Sequence, residues 1–350
     1  MAFNPSSMSK VLVRATNWLG DAVMSLPAIR AIRQVFPHAH IAIAARSWVA
    51  DLYARETSID RIIPYTGSRR AFAARLRAER FDGAILLPNS FDAALTVWLA
   101  GVPERIGYRR DGRGMLLTRA IEVPQPGDIP RHERFYYLEL LRRAGMIERF
   151  PECGAIRLDG IAEARQAGTA HLDALGVVGP VIGISPGAAY GDAKRWLPER
   201  FAESGQQLAG MLGASVLVFG AAAERPLCET VAEMMRRAGV ETRNLAGETS
   251  LPQFIDLAAA CRLFLTNDSG AMHVASALGV PTVAVFGATD DTTTGPTGHL
   301  ARVVRQHAEC SPCLLRQCPI DHRCMTRVTT ADVIAAASLL LGSTENHPEN

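Results

Sequence analysis

The sequence predicts an α/β protein of two doubly wound, Rossmann-like domains facing each other across a cleft. Three observations carry that expectation. Short apolar runs alternate with stretches of helical spacing, the scheme repeats in the second half, and four runs there end in small or polar residues. A chain of 350 residues is long for one core and comfortable for two.

In the first half, residues 11–16 read as a buried strand that ends in the turn Asn17-Trp18-Leu19-Gly20-Asp21. A helix is expected from Ala22 to about Phe36, with Pro27 near its first turn and Pro37 ending it. Residues 41–45, 61–64 and 84–87 are further short strands. In the second half, 181–184 leads into Ser185-Pro186-Gly187, and 215–219 ends at Gly220-Ala221-Ala222-Ala223-Glu224. Residues 263–265 end at a polar turn, and 282–286 at Gly287-Ala288-Thr289. Ligands of open parallel sheets sit at such carboxyl edges. The expected domains are 1–170 and 171–328, with a last helix over 331–341 packing back on the first domain within a terminal segment 329–350. No G-x-G-x-x-G follows the first strand of either domain, which argues against a dinucleotide oxidoreductase.

Composition narrows the class. A hydrophobic content of 48% with 6% aromatics fits a soluble α/β protein. The first ten residues lack the apolar core of a signal peptide, and no apolar run approaches the roughly 20 residues of a membrane span. A cytoplasmic location with reduced cysteines is therefore expected. The net charge of +2 conceals an asymmetry: residues 1–150 carry 22 Lys and Arg against 14 Asp and Glu, and the remainder 15 against 21. Arginines gather at Arg69, Arg70, Arg75, Arg77 and Arg80, and again at Arg105, Arg109, Arg110, Arg113 and Arg119. Such clusters suit an anionic partner, a phosphorylated glycolipid or a membrane surface. The aromatic interleaving of single-strand binders is missing, so nucleic acid is not expected.

Only two lysines occur, Lys10 and Lys194. A compact ammonium reaches one phosphate oxygen where a guanidinium is too bulky. Lys194 follows a Gly-containing turn, the place from which a cation neutralises a departing phosphate. The turn Asn267-Asp268-Ser269-Gly270 reads as the cap of a helix whose first amides and dipole suit a diphosphate, with His273 one turn in. Glu224 stands at a strand end, where acids take ribose hydroxyls. Asp21 reads either as a helix cap or as a general base at the edge of the first sheet. Cys310, Cys313, Cys318 and Cys324, with His322 nearby, make C-x2-C-x4-C-x5-C, a candidate structural metal site.

Three segments together resemble a known family. They are Asn17-Trp18-Leu19-Gly20-Asp21-Ala22-Val23-Met24-Ser25-Leu26-Pro27, residues 186–196 around Lys194, and Asn267-Asp268-Ser269-Gly270-Ala271-Met272-His273. In this order and spacing they resemble the bacterial lipopolysaccharide heptosyltransferases of glycosyltransferase family 9, which have the GT-B fold. The loop Lys194-Arg195-Trp196-Leu197-Pro198, with an extra Leu before Pro, and the Cys-rich segment are most similar to the heptosyltransferase II branch. The resemblance spans about residues 10–340. It implies an inverting, metal-independent transfer of L-glycero-D-manno-heptose from ADP-heptose to the first inner-core heptose on Kdo-lipid A. It also implies an acceptor-binding first domain, an ADP-sugar-binding second domain and no cofactor.

Carried over by position, the resemblance implies Asp21 as base and Lys194 as phosphate ligand. It implies Glu224 and Thr249 at the donor nucleoside, and Asp268, Ser269, Gly270 and His273 in the donor turn. Arg105, Arg109, Arg110 and Arg113 are the candidate acceptor ligands. A monomer, peripheral on the inner face of the inner membrane, is expected. A nucleotide-sugar epimerase of the same fold, or a heptosyltransferase I or III with another core acceptor, are the alternatives.

Overall fold

The computed structural model describes residues 8–152 and 154–345, so Cys153 lies outside the described residues. The chain divides into two compact units, 1–153 and 154–350. The first holds strands β1 (Lys10–Arg14), β2 (His40–Arg46), β3 (Arg61–Tyr65), β4 (Gly83–Leu86), β5 (Glu104–Tyr108) and β6 (Arg119–Ile121). The second holds β7 (Val181–Ser185), β8 (Ser215–Val218), β9 (Thr242–Asn244), β10 (Leu263–Asn267), β11 (Thr282–Val285) and β12 (Ala301–Val304). Both units repeat one topology, β3-β2-β1-β4-β5-β6 and β12-β11-β10-β7-β8-β9, and every pairing is parallel.

Parallel central strands are covered on both faces, so they read as unbroken apolar runs. Val11, Leu12 and Val13 of β1, and Ile182 and Ile184 of β7, are buried for this reason. In each unit the winding direction reverses between the first and fourth strands of that unit, β1 and β4 or β7 and β10. The carboxyl ends of those pairs are where an open α/β sheet leaves a crevice for ligand.

Three expectations are corrected. The helix expected from Ala22 to Phe36 is two helices, Leu19–Met24 and Leu26–Val35, separated at Ser25. Pro27 lacks an amide and sits in the first turn of the second helix, while the Ser25 hydroxyl donates to Ala22 O at 2.8 Å. The division between units falls earlier than 170/171. Ile156 N donates to Thr297 Oγ1 at 2.9 Å and Leu158 N to Ala277 O at 3.0 Å. Helix Ile161–Ala174 packs on helix Leu251–Ala259, and Gly168 has no room for a Cβ against the Asp256 carbonyl. The last helix, Thr330–Glu345, packs on helix Pro198–Leu212, β11 and β12, burying Val333, Ala337 and Leu340 in the second unit's core.

Candidate functional site

In the second unit, the residues expected at the donor turn assemble at the switch point. Asn267, fully buried at the end of β10, donates through Nδ2 to Pro186 O at 2.7 Å and accepts at Oδ1 from Trp196 N at 2.9 Å. One amide thus ties the loop after β7, at both of its ends, to the end of β10. Asp268 Oδ2 accepts from Lys194 Nζ at 2.5 Å and from Thr289 Oγ1 at 2.5 Å. The pair is sheltered, with side-chain exposures of 14% for Lys194 and 5% for Asp268. It fixes the ammonium beside the start of helix Gly270–Ala277.

The expected capping role of Asn267, Asp268 and Ser269 is corrected here. Asn267 and Asp268 bind the neighbouring loops, and Ser269, the N-cap residue in extended conformation, makes no side-chain cap bond. Its hydroxyl instead meets Thr266 Oγ1 at 3.1 Å. The leading amides of the helix therefore have no side-chain acceptor at their cap, which leaves them suited to an anion. His273 lies one turn into this helix and is buried.

Glu224 comes from a short 3-10 turn after β8. Its Oε2 accepts from Ala221 N at 2.9 Å, while Oε1 is buried without a hydrogen-bond partner. A Cβ on Gly187 would collide with this carboxylate, so glycine there lets Glu224 lie against the loop after β7. An orphaned carboxylate oxygen is an acceptor waiting for a hydroxyl. Thr249, half-buried, precedes helix Leu251–Ala259 on the loop whose Gly247 N donates to Gly220 O at 3.0 Å. The turns after β8 and β9 are thereby joined.

In the first unit, Asp21 lies in the first turn of helix Leu19–Met24, whose N-cap is Trp18, so it is not a cap. The loop before it is fastened by Arg14, which donates to Asn17 Oδ1 at 2.9 Å, and by Trp48 Nε1, which donates to Asn17 O at 3.0 Å. Burial, then the neighbouring Arg46, lowers the Arg14 guanidinium to about 10. Glu133, at the start of helix Arg134–Arg143, is a residue that sequence reasoning missed. Burial and the Asp21 carboxylate raise it to about 7, against the opposing charge of Arg110. Arg110 also reaches Tyr136, whose hydroxyl accepts from Asn89 Nδ2 at 2.7 Å. Asp21, Glu133, Arg110 and Tyr136 therefore share one neighbourhood.

The four acceptor arginines separate. Arg113 is fully buried and donates to Tyr108 O at 2.9 Å, Asn89 Oδ1 at 3.2 Å and Pro88 O. Arg105, near the amino end of β5, donates to Leu116 O at 2.7 Å and Val102 O at 2.5 Å. Both brace the main chain, which removes them from the acceptor set. Arg109 is exposed and 3.1 Å from Glu122, and Arg110 is exposed and 3.8 Å from Asp111. Lys10 is also structural, with Nζ 2.9 Å from Glu79 Oε2 at the amino end of β1.

The candidate metal site is corrected as well. Cys310 is exposed, Cys313 and Cys318 are half-buried, and Cys324 packs against Gly287 in the core. Burial and the other three thiols push the Cys324 thiol up. Among the described residues, no group of three His, Cys, Asp or Glu side chains is gathered closely enough to hold a metal ion. The segment is instead anchored through its main chain to the loops after β7 and β11.

The chain thus consists of two doubly wound units, the second with an uncapped helix start beside a fixed ammonium at the carboxyl edge of its sheet, where open α/β sheets take their ligands. Residues 69–323 match the model of glycosyltransferase family 9 (heptosyltransferase), and the chain belongs to that family. It is 35% identical over 308 residues to lipopolysaccharide heptosyltransferase 2 of Escherichia coli strain K12, covering 85% of this chain and 88% of that one. The solved E. coli ADP-heptose LPS heptosyltransferase II is similar at a TM-score of 0.81 and 31% identity, covering 96% and 99%. E. coli heptosyltransferase WaaC with ADP shares the fold at a TM-score of 0.71 and 19% identity, covering 95% and 99%.

Proposed function

We propose that this chain transfers heptose from ADP-heptose to the inner-core heptose of heptosyl-Kdo2-lipid A, with inversion at the anomeric carbon. The observation that carries the reading is the Lys194–Asp268–Thr289 cluster beside the uncapped helix Gly270–Ala277, within a glycosyltransferase family 9 chain. Lys194 and the helix amides hold the leaving diphosphate, Asp268 and Thr289 keep the ammonium in place, and Glu224 with Thr249 receives the nucleoside. Ser269, Gly270 and His273 complete the donor turn. The acceptor hydroxyl attacks the anomeric carbon as the bond to phosphate breaks. Asp21 takes the hydroxyl proton, and ADP departs with the electron pair.

Arg109 and Arg110 are the acceptor ligands that this reading retains. Exposed Trp18 and Trp48 beside the Asn17 loop, together with the basic first unit, favour a monomer docked peripherally on the inner membrane face. Among the described residues, no helix is long and apolar enough to cross a membrane. Family membership speaks against the epimerase alternative.

The deciding experiment incubates the protein with ADP-heptose and either Kdo2-lipid A or its heptosylated form, with products weighed by mass spectrometry. One added heptose on the heptosylated acceptor alone is expected. Addition to Kdo2-lipid A would move the assignment to a first heptosyltransferase, and donor isomerisation without acceptor would end the reading. Asp21→Asn should lower turnover by roughly a hundred- to ten-thousand-fold while donor affinity stays within a few-fold. Lys194→Ala should weaken ADP binding and turnover together. Unchanged kinetics in either variant would remove that residue from its role.

A further inference from the structure

The Cys-rich segment is left unexplained by the transfer reaction, and its packing suggests what it is for. Residues 308–324 form a strap over the loop that carries Lys194. Ala193 N donates to Arg316 O at 3.1 Å, Tyr190 Oη donates to Leu314 O at 2.8 Å, and His322 Nε2 lies 3.1 Å from Ala193 O. Gly191 has no room for a Cβ against the Arg316 carbonyl, so the two backbones touch. On its other side, Leu314 N donates to Ala288 O at 2.8 Å and Ser311 Oγ to Gly287 O at 2.5 Å. The strap is thus fastened to both loops that position Asp268's partners.

Between strap and loop lies a cavity of about 540 Å³, with Tyr190, Asp192, Arg195 and Arg316 in its lining. Its charge is unbalanced. The Arg316 guanidinium is 5.3 Å from the Tyr190 ring centroid and the Lys194 ammonium 4.9 Å, so two cations crowd one ring. Lys194 is neutralised by Asp268, but among the described residues neither Arg195 nor Arg316 has a carboxylate within ion-pair distance. Arg195 Nε is buried without a hydrogen-bond partner. Asp192 is the single acid of the lining and is exposed. Half-buried Arg195 and exposed Arg316 are two forked donors lining one cavity, and such donors match a phosphoryl group, whose oxygens accept paired bonds.

We propose that this cavity is a second phosphoryl-binding subsite, formed by Arg195 of the loop and Arg316 of the strap beside the Lys194 site. The inference rests on the transfer reading for its two sources of phosphoryl, the donor diphosphate and a phosphate carried by the glycolipid acceptor. The test titrates the full-length protein and Arg316→Ala with ADP, and with phosphorylated and phosphatase-treated glycolipid in detergent micelles. If the cavity holds the donor diphosphate, ADP affinity falls about tenfold in the variant and glycolipid affinity is unchanged. If it holds an acceptor phosphate, affinity falls about tenfold for the phosphorylated glycolipid alone. Arg316→Lys should recover part of the loss and Arg316→Glu should deepen it, neither of which a loosened strap would produce. Affinities for all three ligands in Arg316→Ala unchanged from those of the parent protein would overturn the proposal. Direct binding needs no turnover, so failure here is separable from failure of the transfer assignment, which Asp21→Asn and product analysis decide.

Discussion

Glu133 shows what a single carboxyl gains from its surroundings. Burial and the negative Asp21 hold its proton up to about pH 7, whereas its ordinary value is 4.5. Between those two values the folded chain binds more protons than the unfolded chain, so stability falls as pH rises through the window. The contribution is fully present below 4.5 and gone above about 7. Glu133→Gln removes the titration. Thermal melts from about pH 5 to about pH 8 should therefore show a smaller loss of Tm in the variant than in the parent. Parallel slopes would place Glu133 in an ordinary solvated setting. Nothing in the sequence around Glu133 marked it, because its character comes from burial and from Asp21, distant along the chain.

At the level of elements, buried polar side chains act as fasteners. Arg113 joins the loop after β4 to the carboxyl end of β5, and Asn89 passes the connection on to Tyr136 on helix Arg134–Arg143. Arg113→Ala would leave Pro88 O and Asn89 Oδ1 without their donor and empty the space of a buried guanidinium. A loss of about 2–4 kcal/mol is expected, measured by urea unfolding, with glycolipid affinity changed only as far as folding is. A selective loss of glycolipid binding at unchanged stability would return Arg113 to the acceptor site. Most strands were legible as apolar runs, edge strand β3 among them, but central strand β5 and the edge strands β6, β9 and β12 were not. Each is short or carries an arginine, as at Arg119, Arg243 and Arg302, and an edge needs covering on fewer sides. The break at Ser25 was likewise hidden, since the apolar spacing continues through it.

For the whole molecule, the charge division has a measurable consequence. The basic first half should bring the protein to anionic vesicles by long-range attraction, with exposed Trp18, Trp48 and Trp98 at the surface. Vesicle binding followed by tryptophan fluorescence should fall steeply as salt rises from about 0.05 M to about 0.5 M, because the Debye length shortens several-fold. Salt-independent binding would assign the attachment to apolar insertion alone.

Local patterning determined the repeated α/β architecture, the strand ends that carry small and polar residues and the membership of Lys194, Glu224 and Asp268 in one edge. Periodicity and turn chemistry are short-range properties, and a parallel sheet aligns its strand ends automatically. Tertiary structure alone decided that Asn267 clamps two loops, that Arg113 is buried, that the cysteines form a strap, and that the last helix completes the second core. Each of those outcomes depends on partners brought together from far along the chain, and burial with its hydrogen bonds is set only when they meet.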